Sequence, residues 1–417
     1  MRTRVRTRVP TRVPTRVRTR RRERLRLRLR RGGAVRPAAE DPAQQARRGG
    51  REGLSLALLE ARNELLARLS ALAGSVRAWR LAARAGWFQE WWIARHVQRS
   101  RGEAADAGSP RLPGIEPRAE GWLGEAVAAD AVEIRGYLAR TLEQTLELLG
   151  HAADNAGGLH FFRLALQHED RVAEDLGHDL KALLPPPRPQ REALGVPASR
   201  WQLGSERDGS YVPPGERWAH EVVVPEFEID AQCVNWAQFA EFAEDGGYDR
   251  RECWSVAGWD WLQGDGRRAP RDVEQLAGSV LVTRSGQLQR APLLQPAMQV
   301  TRHEAEAWCR WAGRRLPTEP EWELAAHVAV RRGFLWGDVL EWVAGTARTY
   351  PGAEAAASPG ALDAIGESVR VAGHTVQLGV LRGCTGATPA RWRHAKARRF
   401  AWPHEDAQRS GFRSCAA

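Results

Sequence analysis

Apolar residues in the first half of the chain recur every three or four positions. In LSLALLEARNELLARLSALA, residues 54–73, the positions Leu54, Leu58, Ala61, Leu65, Leu69 and Leu72 share one face. That spacing predicts an amphipathic helix. GWFQEWWIARHVQR, residues 86–99, predicts a second helix with a heavy aromatic face. IRGYLARTLEQTLELL repeats the pattern through Leu138, Leu142, Leu146 and Leu149, and HFFRLALQHEDRVAEDLGHDLKALL, from residue 160, supplies a fourth. Four such helices with short connections suggest a four-helix bundle.

The pattern changes at PPPRPQ, residues 185–190, because proline removes backbone donors and stops a helix. Beyond it, short alternating runs such as HEVVVPEFEID stand among Gly and Trp. Few helices are expected there, one of them HEAEAWCRWAG. In TEPEWELAAH, Thr318 is placed as an N-cap, Pro320 in the first turn and Glu321 as the partner in a capping box. The expected plan is α+β. A tail fills 1–44, a helical bundle 45–184, a Pro-rich linker 185–200 and an irregular, loop-rich α+β domain 201–417.

Charge sharpens that plan. The 417 residues carry a net +11, but residues 1–31 hold fifteen Arg against one Glu, so the remaining body stands at −3. A nucleic-acid-binding body needs a basic face to displace phosphate counterions, and this one lacks the charge for it. The tail repeats an Arg-Thr-Arg-Val unit that repels itself and has little apolar area to bury. Its readings are an arm for nucleic acid or acidic membrane, a transit peptide, or a solvated extension reflecting an early start codon; the last is preferred. No stretch approaches the roughly 20 apolar residues of a membrane span. The five cysteines, an odd number with no CxxC pair, fit a reducing cytoplasm rather than a disulfide framework.

The candidate chemistry begins in LQHEDRVAE, residues 166–174. Phe161, Ala165, His168, Val172 and Leu176 form one helical stripe, which aims His168 at the bundle interior. Facing helices of a bundle can supply metal ligands there. The partner of a two-histidine site would stand one turn on, and Val172 is there instead. A lone histidine on an apolar stripe is more often a hydrogen-bonded core residue than a ligand.

Taken together, GWFQEWWIARHVQR, RLALQHED, GRRLPTEPEWE, WGDVLEWVAG, VLRG and GFRSCA resemble the ergothioneine sulfoxide synthase family over roughly residues 45–417. Within it, WIARHVQRSRGEAAD, IEPRAEGW and RAPRDVEQLAG are similar to selenoneine synthases. The resemblance implies a DinB-like four-helix bundle followed by a C-type-lectin-like domain of the formylglycine-generating-enzyme (sulfatase-modifying-factor) type. It implies Fe(II) held by three histidines, with O2 as co-substrate. It further implies small-molecule substrates: hercynine, the trimethylated betaine of histidine, and a selenosugar, or alternatively a cysteine-type thiol.

The chain departs from that pattern at the metal. His168 matches one expected ligand, but Arg84 and Val172 stand at the other two positions. A guanidinium does not deprotonate to bind a metal, and valine has no donor atom. No Tyr occurs in the stretch after YPG, and Arg399 replaces an Asn in ARRF. His96, His151, His160, His178 and His303 form no replacement triad by spacing. Trp87, Phe88, Arg95, Arg99, Phe400 and Trp402 are the candidate substrate contacts, with Arg95 and Arg99 expected one turn apart on the aromatic helix. Asp338 and Glu341 are candidates for a calcium ion or a substrate ammonium, or for bonds to loop backbone. Cys384 and Cys415 lack the close spacing of a copper site.

Overall fold

The computed structural model describes residues 46–72, 74–124, 130–178, 180–284, 286–353, 368–371 and 374–417. The Arg-rich tail and most of the Tyr-free stretch after YPG lie outside the described residues. The first part consists of four long helices: α1 (Arg51–Ala71), α2 (Val76–Gln89), α3 (Ala131–His151) and α4 (Ala156–Gly177). Ser75, Asp130 and Asn155 cap α2, α3 and α4 by accepting hydrogen bonds from Ala78, Val132 and Gly158 N–H groups that would otherwise be orphaned. The α1 stripe is buried as its spacing predicts, at Leu54, Leu58, Ala61, Leu65 and Leu69.

The aromatic helix differs from its expected span. It starts ten residues earlier, at Val76, and ends in one π-helical turn, Glu90–Ala94. The chain then doubles back, and Leu112 N–H donates to the Arg95 carbonyl (2.9 Å). Arg95 and Arg99 are therefore not neighbours on one helix. Arg99 opens a separate 3-10 segment, Arg99–Ala104. The physical reason is His96, fully buried in edge-on contact with Trp92 and Phe161, which a continued α-helix would carry elsewhere.

A polar knot ties the four helices. Arg62 of α1 is almost fully buried and donates to the Glu169 carboxylate of α4, to the Gln89 side chain of α2 (3.0 Å) and to the Leu138 carbonyl of α3. Gln89 in turn donates to Glu169. Beside it, the Tyr137 hydroxyl donates to Glu90 (2.5 Å). Such a cluster is tolerated because every charge has a partner; removing one partner leaves a charge stranded.

After α4 the chain makes a 3-10 turn, Lys181–Leu183, and then continues without regular structure to the strand Leu194–Val196. A four-stranded sheet follows the order Arg398–Ala401, Gly379–Gly383, Leu340–Thr346, Ser410–Phe412, antiparallel except for the last pair. A second sheet orders Leu194–Val196, Phe227–Ile229, Cys415–Ala416 and Arg314–Arg315. Helices α5 (Trp236–Glu244), α6 (Val256–Asp265), α7 (Arg302–Trp311) and α8 (Glu319–Val328) pack around them. The expected capping box of α8 is formed by Thr318 and Glu321, and α7 carries another on Thr301 and Glu304. The tryptophans serve packing: Trp122, Trp236, Trp322 and Trp342 are among the largest fully buried side chains. Among the described residues no helix is long and apolar enough to cross a membrane.

Glu169→Ala strands the Arg62 charge and is expected to destabilise the protein by about 3–5 kcal/mol. Chemical denaturation checks this; an unchanged midpoint would show that the knot does not hold the bundle.

Candidate functional site

Helix α4 is buried on both sides because it separates the other helices from the second part of the chain. Its apolar stripe, with Phe161, Ala165, Val172 and Leu176, faces the bundle core. Gln167, Asp170, Arg171 and Glu174, also three and four apart, face the C-terminal half. There they line a cavity of about 50 Å³, closed on the far side by Gly383, Thr388, Trp392 and the Arg398–Arg399 pair.

Ion pairs across this boundary hold the two halves together. Glu174 accepts from Arg399 (2.5 Å) and from the hydroxyls of Thr388 (2.5 Å) and Thr385 (3.2 Å). Burial raises the Glu174 pKa, but Arg399 and the hydroxyl outweigh it and leave the carboxyl below its usual range. Asp170 accepts from Arg391 (2.7 Å) and from the Trp392 indole (2.7 Å). Here burial prevails over Arg391, and the carboxyl is pushed up to about 6.

Arg171 differs from its neighbours. Among the described residues it forms no hydrogen bond, and no carboxylate comes within ion-pair distance. Burial, then the nearby Arg399, lower it to about 10 against Asp175, Glu174 and Glu216, so it remains a cation. An ionised guanidinium with open donors at a cavity wall is a ready anion receptor.

The candidate ligand His168 stacks face to face on Phe88, with centroids 3.8 Å apart and planes 7° apart. Its Nδ1 is buried without a partner. Burial, then Arg84 and Arg171, lower its pKa to about 3, so the ring is neutral at neutral pH. Val172 is buried in the apolar cluster with Trp79, Ala82 and Ala83, whereas Arg84 is exposed. The donor set does not fit iron: one imidazole, one hydrocarbon and one cation occupy the three positions, with a second cation, Arg171, in electrostatic reach. Among the described residues no group of three or more His, Cys, Asp or Glu is arranged to hold a metal ion.

The other candidates disperse. Trp87 stacks on Trp91 (5.2 Å), over which Arg95 also lies (4.8 Å). Arg95 is held by the Leu112 carbonyl (2.7 Å) and Glu120 (3.2 Å). Arg99 lies close enough to lower the pKa of His96. Phe400 is buried in the C-terminal core under Arg398 (4.9 Å), with Trp402 packed against the same core. None of these lines the Arg171 cavity. Asp338 pairs with Arg188 (2.8 Å), and Glu341 is buried between Arg413 (2.5 Å) and the Trp322 indole (2.8 Å). Both are committed to scaffold ion pairs rather than to a calcium ion. All five cysteines are buried and unbonded. His160 and His303 are buried apart, against Tyr211 and Trp261 respectively, and His151 is exposed at the end of α3.

Comparison with known proteins bears on this geometry. Residues 181–338 match the model of the sulfatase-modifying factor enzyme 1-like domain. The chain is 33% identical over 226 residues to a hercynine oxygenase of Mycolicibacterium smegmatis, covering 49% of this chain and 51% of that protein. It is 32% identical over 259 residues to a hercynine oxygenase of Mycolicibacterium thermoresistibile, covering 55% and 57%. Over about half its length the chain is similar to these hercynine oxygenases. It is also 34% identical over 162 residues to the inactive C-alpha-formylglycine-generating enzyme 2 of Bos taurus, covering 35% of this chain and 50% of that protein. The chain spans about half the length of the curated relatives it matches. The expected fold class stands: α+β, with a sulfatase-modifying-factor-type domain following four helices. Against the hercynine oxygenase resemblance, what sequence reasoning missed is the polar face of α4. Its signal was available, since QHEDRVAED spaces Gln167, Asp170, Arg171 and Glu174 as regularly as the apolar stripe beside it.

Buried histidines set the acid limit. Burial first, then a neighbouring arginine, lower His96 to about 4 and His160 and His303 to about 3. Unfolded, each titrates near the ordinary histidine value of 6.5. The unfolded chain therefore takes up protons first, and their contribution is complete above pH 6.5 and lost as pH falls towards 3. Asp170, raised to about 6 by burial, acts oppositely, as do Asp175, Glu304 and Glu405, which burial also raises, but His168 and His178, each lowered to about 3, add to the histidine side. Tm is expected to hold near pH 7 and to fall steadily between pH 6.5 and 4 in a thermal-melt series. A flat profile would contradict the neutral, buried state of these rings.

Proposed function

We propose that this chain is a hercynine-oxygenase-type scaffold, selenoneine-synthase-like in its motifs, that binds a small carboxylate-bearing molecule between its two halves without holding iron. The family resemblance points to an ancestral O2-dependent reaction joining selenium from a selenosugar to hercynine, with a cysteine-type thiol as the alternative donor. One observation carries the non-metal reading. His168 persists, stacked on Phe88, while the positions that would complete an iron triad are exposed Arg84 and core-packed Val172. The relatives include a protein named inactive, which is consistent with loss of chemistry on a retained fold.

The binding half of the proposal rests on Arg171. A betaine or amino-acid carboxylate could accept its unused donors, which face a cavity wide enough for such a head group. A complete betaine extends beyond about 50 Å³, so the Arg399–Glu174 side of the cleft must yield on binding.

Anaerobic Fe(II) titration of the purified protein tests the first half. The wild type is expected to bind far less than one iron per chain and to consume no O2 with hercynine plus a selenosugar or a thiol. Arg84→His combined with Val172→His is expected to gain iron. Near-stoichiometric iron in the wild type, lost on His168→Ala, would overturn the reading. For the second half, calorimetry with hercynine and with histidine is expected to show binding that weakens about tenfold or more in Arg171→Gln. Equal affinity in that variant would remove Arg171 from the site.

A further inference from the structure

A larger cavity, about 810 Å³, opens between the α1–α2 turn, the end of α4 and the hairpin formed by Leu281–Arg284 and Gln287–Arg290. It shares no lining residue with the Arg171 cavity. Its volume lies within the range of small-molecule sites. Its wall combines apolar residues, Leu72, Leu180, Leu184 and Met298, with polar ones that are only partly satisfied. His178, at the end of α4, has both ring nitrogens buried without a hydrogen-bond partner. The nearest carboxylate oxygen, on Glu174, is 4.0 Å from Nε2. Arg284 is held by a long hydrogen bond to Gln295 (3.5 Å), and among the described residues no carboxylate lies within ion-pair distance of it.

Two further wall residues are in unusual conformations. Among the described residues, Asp272 (φ 60°) and Gln299 (φ 59°) are the non-glycine residues with left-handed backbone, and the Gln299 amide donates to Asp272 (3.0 Å). Left-handed backbone is costly for side chains of this kind and persists where surrounding structure fixes it, often at ligand sites. Gln289 and Gln408 add carboxamides to the same wall. Each amide and each neutral imidazole offers a donor beside an acceptor, which matches hydroxyl groups that do both. Arg284 adds a cation, beside Arg409, which donates to the Leu183 and His178 carbonyls.

We propose that this cavity is a second small-molecule site that takes an anion carried on a polyhydroxylated body, a sugar acid or a sugar phosphate. The anion meets Arg284, and hydroxyls meet His178, Gln299 and Asp272. A ligand hydroxyl supplies the partners that His178 lacks.

Calorimetry and thermal shift on the full chain test this with glucuronate, glucose 6-phosphate, glucose and inorganic phosphate. Glucuronate or glucose 6-phosphate is expected to bind at least tenfold more tightly than glucose and than inorganic phosphate. Which of the two binds tighter separates carboxylate from phosphate as the preferred anion. Arg284→Gln is expected to abolish the advantage over glucose. His178→Phe fills the same space without unpaired nitrogens, so it should keep or raise the Tm of the free protein while weakening the anionic sugar about tenfold. Hercynine binding, which reads the Arg171 cavity, should be unchanged in both variants. The proposal is overturned if neither anionic sugar binds at millimolar concentration, if inorganic phosphate binds as tightly as both, or if Arg284→Gln leaves their affinity intact.

Discussion

Arg62 can be buried in the middle of the helical part because each of the other three helices supplies it with a partner. Glu169, Gln89 and the Leu138 carbonyl converge on one guanidinium. The arrangement fixes the rotation of α1, α2 and α4 about their own axes, since a turn of one residue would withdraw a partner from a charge that water cannot reach. Everything described for α4 follows from that setting. With Glu169 turned to the knot, His168 meets Phe88, Val172 joins the apolar core, and Asp170, Arg171 and Glu174 face the C-terminal half.

The boundary between the halves then becomes the chemically richest region. Its charges are mostly consumed in cross-boundary pairs, Arg399 with Glu174 and Arg391 with Asp170. Arg171 is the exception on this helix face, and the cavity lies where its donors are left open. An iron site needs neutral donors gathered at one point, and this chain has placed cations around a single imidazole. Electrostatics there favours an incoming carboxylate over an incoming dication.

The helices and the change of architecture near residue 185 were legible because periodicity and proline act locally. The capping box at Thr318 was legible for the same reason. The end of the aromatic helix was not, because it depends on burial of His96 between Trp92 and Phe161, contacts made by the folded chain. Arg84 and Val172 could be read as non-ligands from chemistry alone. The roles of Arg399, Asp170 and Glu174 could not, since their partners lie more than 200 positions away along the chain. Glu169 carries no local mark in LQHEDRVAE, although it is the residue that the fold places at its centre.

The placement of the strand Cys415–Ala416 between Phe227–Ile229 and Arg314–Arg315 has a consequence for biogenesis. Arg413, just before it, is also buried against Glu341. During translation the four helices emerge and can assemble from contacts close in sequence, whereas the second part must wait with an unfilled gap between two strands until residues 413–416 leave the ribosome. A truncation there leaves the nascent domain with an open sheet edge and an unneutralised Glu341, a state that chaperones and proteases recognise.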